Sequence, residues 1–172
     1  MALSKIQTGL VDTNAIGATE LNLADNFAFT GTLSGAGKIL QVVHGLSQVT
    51  VTTTSNSAFA STGVTATITP SSTSSKIYIM TKTTGVGTAS TDVLTAIFRG
   101  TVSGTNLTGN ASTKYNTANS QPSDMVNTFL DSPSTTSATT YTLGIKSSVN
   151  GQASVANSAS TDGVITLMEI AG

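Results

Sequence analysis

The 172-residue sequence has no cysteine, no tryptophan, three prolines and one histidine. Without cysteine, neither a disulfide framework nor a thiolate metal site can form. The lone histidine, His44, leaves any imidazole-based metal site short of a second ligand of comparable strength. Charge is also scarce: 9% of residues are charged, against about 25% in a typical soluble domain. The seven basic residues (Lys5, Lys38, Lys76, Lys82, Arg99, Lys114, Lys146) are scattered, so no electrostatic footprint for nucleic acid forms. No run approaches ~18 consecutive apolar residues, which argues against a membrane-spanning helix. Residues 1–10 hold Lys5 but no apolar core, and do not read as a secretory signal.

Hydroxyls fill the space that charge leaves. The chain contains 33 Thr and 23 Ser, about a third of its residues, with 16 Gly. Threonine is β-branched and fits a pleated surface, while Ser, Gly and Asn supply turns. Few Lys and Glu with many Thr and Gly disfavour helix. Disorder goes with low hydrophobicity and high net charge; here the net charge is −1 and the mean hydropathy positive, so a folded chain is expected. Near-neutrality also suits a chain that works inside a larger assembly.

The texture changes near residues 35–37. Before it, apolar residues fall at irregular intervals (Leu3, Ile6, Leu10, Val11, Ile16, Leu21, Leu23, Phe27, Phe29) and match neither a 3.6 nor a 2.0 period. Residues 1–36 therefore read as an extended N-terminal arm that needs another surface to lie against. Leu3, Ile6, Leu10, Ile16, Leu21, Leu23, Phe27 and Phe29 are its candidate anchors to a subunit or particle.

Residues 37–172 read as a head domain of short strands. Val64, Ala66 and Ile68 alternate with threonines and stop at Pro70. Residues 71–75 form a turn. Residues 76–83 carry Ile77 and Ile79 on one face and Tyr78 and Met80 on the other, which suits a central strand or one lying against a subunit neighbour. Residues 92–99, 125–130, 140–146 and 164–171 complete the obvious set, and 38–44 with 46–53 are expected as an adjacent pair separated at Gly45. Such spacing predicts an all-β fold, an antiparallel β-sandwich of jelly-roll type. Residues 100–124 form the longest irregular stretch. Stretches of this length are often functional, which makes Asn106, Asn110, Lys114, Tyr115, Asn116 and Asn119 the candidate exposed recognition loop.

Catalytic patterns are weak. The stretch Gly31-Thr-Leu-Ser-Gly-Ala-Gly-Lys38 has the wrong residues for a phosphate loop: Thr32 stands where glycine is required and Ile39 where a hydroxyl must reach Mg²⁺. No Gly-x-Ser-x-Gly elbow accompanies His44. The eight carboxylates (Asp12, Glu20, Asp25, Asp92, Asp124, Asp131, Asp162, Glu169) lie in no aromatic-rich stretch that would hold a sugar, and Asp92, Asp131 and Asp162 sit where turn-capping is routine. No Asp-x-Asp calcium loop occurs. The sequons at Asn106 and Asn110 are expected by chance in so Asn-, Ser- and Thr-rich a chain. No enzyme activity and no cofactor are expected.

Four stretches carry a resemblance: Gly37-Lys-Ile-Leu-Gln-Val-Val43; Ile68-Thr-Pro-Ser-Ser-Thr-Ser-Ser-Lys-Ile77; Leu130-Asp-Ser-Pro133 with the run to Tyr141; and Ile165-Thr-Leu-Met-Glu-Ile170. Together with Ile16-Gly-Ala-Thr-Glu-Leu-Asn-Leu-Ala24 and Phe27-Ala-Phe-Thr-Gly31, they resemble a family of virion structural proteins of marine bacteriophages, often described as tail-fibre proteins. The resemblance implies a trimeric β-sandwich head mounted on a virion through its N-terminal part. It also implies other virion proteins as partners, assembly in the host cytoplasm, and no catalytic residues. Host attachment through a surface glycan is compatible with it; nucleic acid and membrane insertion are not expected. This chain is short and lacks a repeated shaft, so a compact knob or a capsid decoration (cement) protein stands beside a fibre. A carbohydrate-binding module is the reading outside that class.

Overall fold

The computed structural model describes residues 37–87, 91–110, 112–114, 122–150, 154–156 and 162–172. The arm expected over residues 1–36 lies outside them. The described elements are all strands: β1 (Ile39–Ser47), β2 (Val51–Thr53), β3 (Ala60–Ile68), β4 (Lys76–Gly87), β5 (Val93–Arg99), β6 (Thr105–Asn106), β7 (Ser112–Lys114), β8 (Ser123–Asp131), β9 (Thr139–Ser147), β10 (Ser154–Ala156) and β11 (Gly163–Ile170). Among the described residues no helix is long and apolar enough to cross a membrane.

The strands form two antiparallel sheets. In the first, β4 is central: β8 pairs along one edge, and β11 and then β10 along the other. β1 lies outside β11, and β2 outside β10. In the second sheet the order is β3, β9, β5, with β6 and β7 sharing the outer edge of β5. Three pairs (β1 with β2, β6 with β7, β10 with β11) thus each share one position, and eleven strands occupy eight positions. In chain order these positions give sheets 1-8-3-6 and 2-7-4-5, the strand order of a jelly roll.

The alternation seen in the sequence builds the core. Val64, Ala66, Ile68, Ile97, Tyr141 and Leu143 of the second sheet meet Ile77, Ile79, Ile165 and Leu167 of the first. A smaller cluster of Val93, Met125, Ile145 and Ala156 fills one end. Between the two clusters lies a polar layer: Asn127 on β8 donates from Nδ2 to Thr95 Oγ1 on β5 (3.0 Å) and to Thr81 Oγ1 on β4 (3.4 Å). The interior is therefore partly hydroxyl-lined, as a chain one third Ser and Thr requires. The Asn127 amide nitrogen is satisfied in this layer, whereas its Oδ1 is buried without a partner among the described residues.

Two expectations are corrected. Gly45 does not separate two strands, because β1 runs through it and the break falls at 48–50. Its backbone faces β3 so closely that a Cβ would strike the Thr65 carbonyl oxygen. The glycine marks close approach of two sheets, not a turn. Residues 100–124 are not one irregular loop either: the described part contains β6, β7 and the start of β8.

Candidate functional site

Of the recognition residues proposed from sequence, the structure describes three. Asn106 lies on β6 and is exposed, but its side chain builds a turn: Oδ1 accepts from the amides of Gly109 (2.8 Å) and Thr108 (3.2 Å), and Nδ2 donates to the Gly109 carbonyl (3.3 Å). Gly109 takes a φ of 65°, the left-handed conformation this turn needs. Asn110 follows, exposed. Lys114 ends β7, paired with Val93. Tyr115, Asn116 and Asn119, like the anchors Leu3, Ile6, Leu10, Ile16, Leu21, Leu23, Phe27 and Phe29, lie outside the described residues. The turn is fastened to the head, because Leu107 donates its amide to the Ile97 carbonyl (2.9 Å) and packs against the main core. What it presents outward is amide and hydroxyl surface: Thr101, Ser103, Thr105, Asn106 and Asn110.

Two of the described carboxylates, Asp131 and Glu169, serve the fold. Asp131, at the inward end of β8, accepts from Arg99 Nε (2.8 Å) and from the Tyr141 hydroxyl (2.6 Å), with a second contact to the Arg99 guanidinium. Arg99 and Tyr141 belong to the opposite sheet, so this cluster ties the two layers together. Burial, then the adjacent carboxylate, pushes the Tyr141 phenol far above its ordinary range. The hydrogen bond to Asp131 is the largest influence holding the Arg99 guanidinium above its usual value.

Glu169 on β11 is fully buried. Its Oε1 accepts from the Ser71 amide (2.7 Å) and hydroxyl (2.6 Å), and its Oε2 accepts from Gln41 Nε2 (2.6 Å). Burial alone would raise its pKa. The hydrogen bonds from Ser71 and Gln41, with the Ser75 hydroxyl also facing it, outweigh burial and lower it to about 2. Glu169 and Asp131 flank Ile77 in one row across β11, β4 and β8, on the order of 10 Å apart by strand spacing. Both are buried and held by donors, so they do not frame an open cleft as a glycosidase pair must. The sequence alone suggests a turn cap at Asp131 and gives Glu169 no particular role. Its signal was present all the same: Ile165, Leu167 and Glu169 share the inward face of β11.

The remaining groups lie at the surface. His44 shares a 3.2 Å hydrogen bond with Thr166 Oγ1 on the outer face of the first sheet. Gln48 donates to Asp162 (2.7 Å). Lys82 pairs with Asp124 (3.3 Å), which also accepts from Thr84 (2.7 Å); the Thr84 bond, then Lys82, lowers the Asp124 pKa. Among the described residues no group of three or more His, Cys, Asp or Glu could hold a metal ion.

The two outer sheet faces differ. On the second, Thr65, Thr67 and Thr140 set a hydroxyl surface, and the apolar Phe98 is covered by the chain's own loop. Phe59 stacks edge-on against Phe98 at 5.2 Å, and Lys146 sits 4.8 Å above Phe59. On the first, the register aligns Val42, Met168, Tyr78 and Leu130 in one row and Leu46, Val164, Lys82 and Val126 in another. Val42, Leu46, Met80, Val126 and Leu130 remain exposed.

No protein-family model and no curated protein matches this chain. Among solved structures it is similar to one of infectious bursal disease virus, Gx strain, with a TM-score of 0.42 and 12% identity over 81% of this chain. The similarity spans 39% of that neighbour's length.

Proposed function

We propose that this chain is a non-enzymatic surface protein of a bacteriophage virion: a trimeric jelly-roll knob of the short tail-fibre or receptor-binding class, joined to the particle by residues 1–36. One observation carries the reading. The stretches that resemble virion structural proteins meet in space at the buried polar clamps. Gln41, Ser71 and Glu169 come from three of them and form one cluster. Asp131 and Tyr141, both from the remaining stretch, bond each other inside the sandwich. The residues behind the resemblance are thus those that hold the head together, which supports a head of the same kind.

The surface fits a binding role. Its amide and hydroxyl turn at 101–110 can match the hydroxyls of a host-surface glycan, while the described carboxylates Asp131 and Glu169 are committed to the interior. The head assembles with other virion proteins in the host cytoplasm. Capsid decoration is the second reading.

Deleting residues 1–36 tests the anchor. The shortened chain is expected to keep a cooperative melt and a β-rich circular dichroism spectrum while failing to join particles in a complementation assay. Incorporation of the truncated chain at the full-length level would overturn the anchor.

A further inference from the structure

We propose that one end of this head opens as a unit of its own while the main core stays folded. The unit holds the smaller cluster of Val93, Met125, Ile145 and Ala156, with β10 and the parts of β4, β5 and β9 around it.

The inward rows of the strands carry the argument. On β4 that row reads Ile77, Ile79, Thr81, Thr83, Gly85, Gly87, so aliphatic side chains give way to hydroxyls and then to none. On β8 it reads, in the same direction, Asp131, Phe129, Asn127, Met125, and on β5 Ile97, Thr95, Val93. Thr81, Asn127 and Thr95 meet in one layer, which separates ten buried residues of the main core from four beyond it. The apolar packing that makes a core act as one is interrupted there.

Polar groups divide the two ends in the same way. At the main-core end Glu169 and Asp131 each accept from several donors, and the Asp131 cluster ties one sheet to the other. At the smaller end Thr91 Oγ1, Asp92 Oδ1 and Asn127 Oδ1 are buried without a partner among the described residues. Ser75 Oγ, the other such atom, faces Glu169. A buried polar atom left unpaired costs free energy, and opening gives it water, so each of these favours the open form. Gly37, where the chain enters the head, bonds Ala171 at the main-core end, so the opening leaves that attachment in place.

Native-state hydrogen exchange of the full chain, read residue by residue at low denaturant, tests this. Amides of residues 93–95 and 154–156 should be at least about tenfold less protected than those of 77–79 and 165–167. All four segments are paired on both sides, so edge position does not account for the difference. An Ile79→Val variant separates local from global opening. It should lower protection of the main-core amides about two- to tenfold, the usual effect of that substitution, and leave the smaller end unchanged. A Val93→Ala variant should lower both sets, because global unfolding also loses the Val93 contacts. Uniform protection in the wild type, or an equal loss at both ends in I79V, would overturn the inference. So would a V93A variant whose smaller end keeps its full protection.

Discussion

Glu169 stands where strand alternation calls for an aliphatic side chain. After Ile165 and Leu167, its carboxylate points into the sandwich and keeps its charge because Ser71 and Gln41 supply donors. Its folded pKa is about 2 against an ordinary 4.5, so the unfolded chain binds the proton more readily. The stabilisation is therefore complete above the unfolded value and is lost as pH falls from about 4.5 toward 2. A shift of this size corresponds to about 3 kcal/mol. Denaturant unfolding at a series of pH values should show stability declining through that window. A Glu169→Gln variant should be less stable near neutrality and show a shallower decline. An unchanged slope in the variant would assign the acid sensitivity to other groups. The inward placement of Glu169 was legible in the sequence. Its partners were not, because Gln41 and Ser71 lie 128 and 98 residues away and meet it only through the strand order.

At the level of elements, strong period-2 patterns transferred well. Val64, Ala66 and Ile68 on β3, Ile77 and Ile79 on β4, and Leu143 and Ile145 on β9 all face the core. The short strands β6, β7 and β10 left no such trace: β6 and β7 fold back on nearby β5, while β10 is flanked by β4 and β2, far away in sequence. Residues 100–124 therefore read as a continuous loop although β6 and β7 pair within them. Gly45 misled for a different reason, since glycine signals both turns and close backbone approach. Replacing it with alanine should destabilise the head by about 1–3 kcal/mol, the usual cost of overpacking, because the new methyl meets the Thr65 backbone and not a movable side chain. Thermal melts of G45A beside the wild type check this. An unaltered melting temperature would mean that β1 and β3 can separate freely.

For the whole molecule, composition and alternation indicated a sandwich, whereas the jelly-roll order required long-range pairings that no local pattern encodes. The cross-sheet clamp of Asp131, Arg99 and Tyr141 belongs to this level, because it joins β8 of one layer to β5 and β9 of the other. The surface carries few charges, and the outer faces mix hydroxyls with exposed aliphatic side chains. Two-faced hydrophobicity in residues 76–83 had pointed both to a central strand and to a subunit neighbour. The structure puts β4 at the centre of its sheet, with Met80 exposed on its outer face.

The most direct measurement is the copy number of this protein in purified particles, by quantitative mass spectrometry against the major shell protein. A tail-mounted knob should be present in multiples of three and at far fewer copies than the shell. A count scaling with the shell would contradict the tail placement in favour of decoration. Absence from particles would contradict the virion reading altogether.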